Sequence, residues 1–284
     1  MGSRVGALCA GYGGVELGLS KVIDTKLSWV SEIETNANYL LEKRFNVPNY
    51  GDLTKLKGNE LPQIDICTAG FPCTPFSQAG QELGVHDSRW LIDDVCKIAR
   101  LAGAKWLILE NVSRILTTNN GEALARVCAA MAYNGFSRWE WTTLPASAAK
   151  APHTRKRWFC VATNPDIRTG QKLNFRDGDW DRSQAGFYWT PKSEFKRFNF
   201  SGSAFERYEP AIRRWEETIR RPAPEPYQEY RLNHWFVEWM MGLPHGWVCG
   251  DDLGFSRSAC LRLLGNGVVP QQAAMAISIL LSRL

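Results

Sequence analysis

VGALCAGYGGVELGLSKV, residues 5–22, carries three kinds of local structure in succession. The apolar run at 5–9 predicts a buried strand. Ala10-Gly11-Tyr12-Gly13-Gly14 predicts a sharp turn, and 15–22 a helix. A strand passing through glycines into a helix opens a βαβ unit. Glycines let the backbone turn tightly and approach a ligand. In an open α/β sheet, a cofactor lies beyond the carboxyl end of this first strand. The turn lacks the last glycine of G-x-G-x-x-G, which disfavours a nicotinamide-dependent oxidoreductase.

Outward from this unit, strands are expected at 27–33, 64–69, 106–109, 138–143 and 157–163. Helices are expected at 35–45, 88–101 and 122–133, with Gly51-Asp52-Leu53 near the end of a further strand. Short strands alternating with helices imply an α/β fold with a doubly wound, mostly parallel sheet, here a catalytic and cofactor-binding domain over 1–163. Residues 164–231 hold four aliphatic and thirteen aromatic residues, too few aliphatics for another βαβ unit. A small module packed on its own aromatic cluster is expected there. Its basic pairs are Lys196–Arg197, Arg213–Arg214 and Arg220–Arg221. Residues 232–284 are apolar again, with a helix at 236–241, a tight turn at Gly265-Asn266-Gly267 and a last helix at 271–281 that returns to the first domain.

The chain has 284 residues, 44% hydrophobic and 22% charged, enough for one large domain and an appendage. That composition excludes a dominantly disordered, collagenous or coiled-coil chain. No unbroken apolar run approaches the roughly 18 residues of a membrane span, and the first residues lack a signal-peptide pattern, so no membrane partner is expected. None of the eight cysteines forms Cys-x-x-Cys, so no metal is expected. Cys9, Cys67 and Cys160 sit in apolar runs, which suggests a reducing, cytoplasmic compartment. A net charge of +5 permits an anionic partner without demanding one.

Four features point to chemistry. Ser31-Glu32-Ile33-Glu34 places an acid where a ribose diol could be held, and Asp52 is another acid near the end of the next strand; the plain readings are a helix N-terminal carboxylate for the first and a solvated turn residue for the second. Cys73 stands between Pro72 and Pro75, directly after the apolar run at 64–69. A thiol so placed serves as a nucleophile when a cation lowers its pKa. Glu110 closes the apolar run Trp106-Leu107-Ile108-Leu109, a costly position for an idle carboxylate. Arg155 and Arg157 share one face of a strand by the period of two.

These motifs, in this order, resemble the DNA (cytosine-5)-methyltransferases that use S-adenosylmethionine. The resemblance covers all but the 164–231 stretch. It implies a Rossmann-like methyltransferase fold with a small target-recognition module at 164–231. It also implies a methionine-binding turn at Cys9, Ala10, Gly11, Tyr12, Gly13 and Gly14. Glu32, Ile33, Asp52, Leu53, Pro72, Ile92, Asn266 and Gly267 complete the cofactor site. Cys73 is the implied nucleophile, Glu110 and Arg155 hold the base, and Arg157 supports the thiolate or Glu110. The loop at 78–90 would close over it. Cys9, Thr74 and His153 depart from the family's usual phenylalanine and two glutamines, and Tyr12 or Ile33 is expected to supply the lost contact to adenine. Expected is methyl transfer from S-adenosylmethionine to cytosine C5 through a Cys–C6 adduct on a flipped-out base. The expected partner is double-stranded DNA and the expected state a monomer, in a bacterial cell or phage-infected host. The short recognition stretch suggests a brief target sequence, and the absent N-terminal extension a prokaryotic or phage-type enzyme. Two alternatives stand beside it: a tRNA cytosine-5 methyltransferase, and a catalytically silent DNA-binding homologue.

Overall fold

The computed structural model describes residues 2–72, 90–164, 173, 175 and 199–284. Six strands form the main sheet: β1 (Ser3–Leu8), β2 (Thr25–Ser31), β3 (Ile66–Ala69), β4 (Trp106–Val112), β5 (Arg138–Pro145) and β6 (Lys156–Thr163). Their spatial order is β2-β1-β3-β4-β6-β5. The pairs β1–β2, β1–β3 and β3–β4 are parallel, whereas β6 runs antiparallel between β4 and β5. The strand order reverses between β1 and β3, the switch point at which α/β sheets bind ligands.

Both faces of the sheet are covered, which is why β3 is buried at every position. On one face lie α3 (Ile92–Leu101) and α4 (Glu122–Tyr133), which supply Val95, Ile98, Val127 and Met131 to a core with Cys67, Leu107 and Cys160. On the other lie α1 (Gly14–Val22) and α8 (Pro270–Leu281), which pack Val15, Leu19, Ala273 and Ile277 against Val5, Ile66 and Ile108. Gly18 lets these two helices touch: a Cβ there would lie 2.6 Å from the Pro270 carbonyl oxygen.

Two expected elements are corrected. The strand expected before Gly51-Asp52-Leu53 is reduced to a single parallel bridge between Val30 and Asn49. Asp52 instead caps a short 3-10 turn (Leu53–Lys55), its side chain accepting the Thr54 N–H. Gly265-Asn266-Gly267 is not a tight turn. Gly265 and Asn266 end α7 (Arg257–Asn266), a helix missing from the sequence reading, and Gly267 is its C-terminal cap. Residues Arg257–Leu281 together are long and apolar enough to cross a membrane, but the break at Gly267 leaves helices of 10 and 12 residues, and the most apolar window is 67% buried.

The described part of the 164–231 stretch does not pack on its own. Helix α5 (Glu209–Ile219) joins Phe200, Trp215 and Ile219 to Phe236, Trp239 and Leu243 in one core, together with Tyr12 and Leu17. The Trp215 indole N–H donates to the Trp239 carbonyl (3.0 Å), and the Trp239 indole N–H to the Arg221 carbonyl (3.0 Å). A hairpin of β7 (Tyr227–Gln228) and β8 (Arg231–Leu232) leads into α6 (His234–Met240). The basic pairs also have local work. Arg213 is clamped between Glu209 (2.8 Å) and the buried Glu216 (2.9 Å). Arg221 is itself buried and faces the Glu238 carboxylate. Lys196–Arg197 lies outside the described residues.

Candidate active site

A cleft of about 460 Å³ opens at the carboxyl ends of β1 to β4. Each strand end delivers residues to it: Cys9 and Gly11 after β1, Glu32 and Ile33 after β2, Gly70, Phe71 and Pro72 after β3, and Glu110 and Asn111 from β4. Asp52 and Leu53 form one side. Leu263, Gly265 and Asn266 at the end of α7 form the opposing wall. That wall is tied down by an ion pair from Arg262 to Glu34 (2.6 Å), the residue that caps α2 (Thr35–Phe45).

Glu32 organises one half of the cleft. Its Oε2 accepts the Gly11 N–H (2.9 Å), and its Oε1 accepts the N–H groups of Ile33 and Glu34 (both 2.9 Å). A carboxylate offers about four acceptor positions, so roughly one remains for a ligand hydroxyl. Beside it Gly11 has φ +56°, and a Cβ there would meet no described residue within 4 Å, so among the described residues its backbone is open to the cleft. Ile33 is 74% exposed at the rim, an apolar side chain available to a flat ring. The two Thr54 donors, on its amide and hydroxyl, hold the Asp52 carboxyl below its ordinary range. An ionised acid, an occupied but unsaturated carboxylate, an open glycine turn and an apolar face together suit a charged nucleoside.

The other half of the cleft is organised by strand register. Val112 pairs with Arg157 and Glu110 with Phe159, so Glu110 and Arg157 are diagonal neighbours on one face of the sheet. The Arg157 Nε lies 2.8 Å from Glu110 Oε1, and both side chains are nearly buried. Burial pushes the Glu110 carboxyl up, and Arg157 and Arg155 pull it part of the way back. Next to it Asn111 donates to the Phe71 carbonyl (3.1 Å), anchoring the segment that runs to Pro72. The structure brings Cys9, Gly11, Glu32, Ile33, Asp52, Leu53, Pro72, Glu110, Arg157 and Asn266 to this one cleft. Cys73, Thr74 and most of the 78–90 loop lie outside the described residues.

Several expected site residues are elsewhere. Tyr12 is buried, its hydroxyl donating to the Val268 carbonyl (2.8 Å), so it bolts the glycine turn to the C-terminal segment rather than facing a ligand. Gly13 and Gly14 are packing positions, where a Cβ would press on Phe45 and on the Val268 carbonyl oxygen. Gly267 abuts the Tyr12 ring, and Ala10 packs beside the Ala7, Val30 and Leu41 cluster. Ile92 is fully buried in the core, and its neighbour Leu91 lines the cleft instead. Arg155 holds the end of α7 through the Leu264 (3.4 Å) and Gly265 (2.7 Å) carbonyls, a cation at a helix C-terminus. Asn111, Leu91, Leu263 and Gly265 escaped the sequence reading. Asn111, beside Glu110, and Gly265, in the Gly265-Asn266-Gly267 run, carried a signal there; Leu91 and Leu263 did not.

The family model for C-5 cytosine-specific DNA methylase matches residues 3–196. The chain belongs to this family. Among curated relatives it is 34% identical to the Type II methyltransferase M.BsuFI of Bacillus subtilis, over 56% of this chain and 39% of that protein. It is 33% identical to M.CviJI of Paramecium bursaria Chlorella virus IL3A, over 65% and 50%. M2.BsuMI of B. subtilis strain 168 aligns at 29% identity over 93% of this chain and 72% of its own. The chain thus spans half or less of the first two relatives. Solved structures share the fold: Dnmt2 of S. pombe (17% identity, 99% of both chains, TM-score 0.61) and EhMeth of Entamoeba histolytica (14%, 100% and 99%, 0.64). The Rossmann-like methyltransferase sheet expected from the sequence is therefore the one observed.

Proposed function

We propose that this methylase transfers a methyl group from S-adenosylmethionine to C5 of a cytosine in double-stranded DNA. The observation that carries the reading is the buried Glu110–Arg157 pair, set in the same cleft as the Glu32, Asp52 and glycine-turn half. Gly11 and Glu32 would hold the methionine and ribose parts of the cofactor, with Asp52 and Ile33 against the adenosine. When bound, S-adenosylmethionine supplies an electrophilic methyl group on a sulfonium.

The chain's own residues do the rest. The Cys73 thiolate forms a bond to C6, which moves electron density to C5 and negative charge toward N3. Glu110, whose pKa is raised by burial, holds a proton at N3 and accepts from the exocyclic amine. Arg157 fixes the Glu110 carboxylate and opposes that developing charge. After methylation, loss of the C5 proton to a base re-forms the C5–C6 double bond and expels the thiolate. A stacked base is unreachable, so the cytosine must be flipped out. Residues 164–198 and the exposed Arg214 are assigned to DNA contact, and His153, kept neutral by burial with its pKa near 4, to a structural position. The seven described cysteines are free thiols, in keeping with a reducing bacterial or phage-infected cytoplasm. A monomer suffices for this chemistry.

The test is covalent trapping on a duplex containing 5-fluorocytosine, in which the fluorine cannot leave as a proton does. A cofactor-dependent protein–DNA adduct, absent from Cys73→Ser, is the expected result. Labelling of tRNA in place of duplex DNA would move the substrate to RNA. Binding of DNA without any adduct would make the chain a silent homologue.

A further inference from the structure

His234, Cys249 and Cys260 are fifteen and eleven residues apart in the chain, with no metal-motif spacing. The fold nevertheless brings His234 at the start of α6, Cys249 in the following turn and Cys260 in α7 to one point. Their donor atoms all lie within 4.8 Å of one another. Glu238 is the cause: its carboxylate accepts the N–H groups of Gly246 (2.8 Å), Val248 (2.7 Å) and Cys249 (2.8 Å), folding that turn back onto α6. The Cys260 thiol lies 3.7 Å from the Val248 carbonyl, and the Cys249 thiol 3.5 Å from that of His234. The two thiols also contact each other.

Packing accounts for two buried thiols, because free cysteine behaves as a small apolar residue. It does not account for the imidazole. The Nδ1 atom of His234 is buried and has no hydrogen-bond partner among the described residues. A buried ring nitrogen left unpaired is costly, and native structures seldom tolerate one without an ion or water.

We propose that His234, Cys249 and Cys260 form a binding site for a soft divalent cation, Zn²⁺ by preference, with the fourth coordination position open to solvent past His234. Two sulfurs and one imidazole nitrogen are a donor set that selects zinc over hard cations. Tetrahedral Zn²⁺ needs sulfurs about 3.8 Å apart and sulfur and nitrogen about 3.6 Å apart, so the three atoms close by about 1 Å. Each thiol gives up its proton on binding, and two thiolates balance the cation's charge in a buried place. The ion would clip α6 to α7, the helix whose end forms one wall of the cleft. It takes no part in the methyl-transfer reading above, and its test does not depend on it.

The experiment is titration of the reduced, chelator-treated full chain with Co²⁺ and Zn²⁺. Expected is one equivalent of Co²⁺ giving tetrahedral d–d bands and a thiolate charge-transfer band, both displaced by Zn²⁺, with a Zn²⁺-dependent rise in the thermal midpoint. Cys249→Ser, Cys260→Ser and His234→Gln should each weaken binding at least tenfold, while Cys128→Ser should not. If one variant fails to fold, the other two and the wild-type spectrum decide. Absence of the bands in the reduced wild type overturns the proposal. So does binding that survives all three substitutions. A Cys249–Cys260 disulfide in protein isolated without reductant, with no metal uptake once reduced, replaces it with a redox pair.

Discussion

Glu110 ends the apolar run of β4 with its carboxylate 2.8 Å from the Arg157 guanidinium. A carboxylate ending an apolar strand announces that it is paired or used. Only the antiparallel register of β6 shows that Arg157, not Arg155, meets it. Glu110→Gln should therefore keep the fold and lower the turnover of methyl transfer by roughly 10²–10³-fold, the scale of losing one charge-stabilising partner; single-turnover assays on duplex DNA check this. Glu16 is a second buried carboxylate, hydrogen-bonded by the Thr68 hydroxyl (2.5 Å). Burial, opposed by that bond, raises its pKa from 4.5 to about 7. Between these values the unfolded chain releases a proton that the folded chain keeps, so stability falls as pH rises. The loss is complete above about pH 7 and amounts to roughly 3 kcal/mol. Glu16→Gln should remove it, so the variant gains on the wild type from pH 5 to pH 8 by that amount in urea unfolding. An unchanged difference across this range would mean that Glu16 is already ionised in the fold. Glu32 also carries a structural duty through the Gly11 N–H, so Glu32→Ala should lower both cofactor affinity and thermal stability; calorimetry and a melting curve separate the two.

Among the elements, α5 and the α7–α8 junction are where residue type misled. Arg213 stands among recurring basic pairs, a pattern suited to anchoring phosphates, yet it spans Glu209 and the buried Glu216. Arg213→Ala should therefore cost about 1–2 kcal/mol, below the value for a fully buried pair because the arginine is 28% exposed. Its effect on DNA affinity should be small, whereas Arg214→Ala should reduce the log–log salt slope of DNA binding by about one. An unchanged melting point in Arg213→Ala, with weakened DNA binding, would restore the phosphate role. At the junction, the glycine requirement at Gly267 comes from a close approach and not from its backbone angle. Any Cβ would overlap the buried Tyr12 ring, whose hydroxyl is itself fixed to Val268. Gly267→Ala should destabilise by about 1–3 kcal/mol, and Tyr12→Phe by about 1 kcal/mol, both by chemical denaturation.

For the whole molecule, moving the recognition segment between relatives succeeds or fails by where the core is cut. Replacing 164–231 removes Phe200, Ile212, Trp215 and Ile219 from a core that also holds Phe236 and Trp239. That chimera should lose its cooperative melting transition. Exchange confined to 165–198 leaves those contacts in place and should move the methylated sequence with the melting point kept, as bisulfite sequencing of plasmid from expressing cells would report. A 165–198 chimera that still methylates the original sequence would place recognition elsewhere in the chain. The sequence by itself determined the six strands of the sheet, the helices at 35–45 and 122–133, and the order of the site motifs, because apolar periodicity and turn residues act over a few neighbouring positions. Tertiary structure alone decided which motif residues face the cleft and which are bolts, as with Glu32 against Tyr12, and Arg157 against Arg155. It alone decided that residues 199–231 share a core with 232–284, and that His234, Cys249 and Cys260 meet. The reason is physical: register between strands and contact between distant helices are set by packing the whole chain, and no local pattern records them.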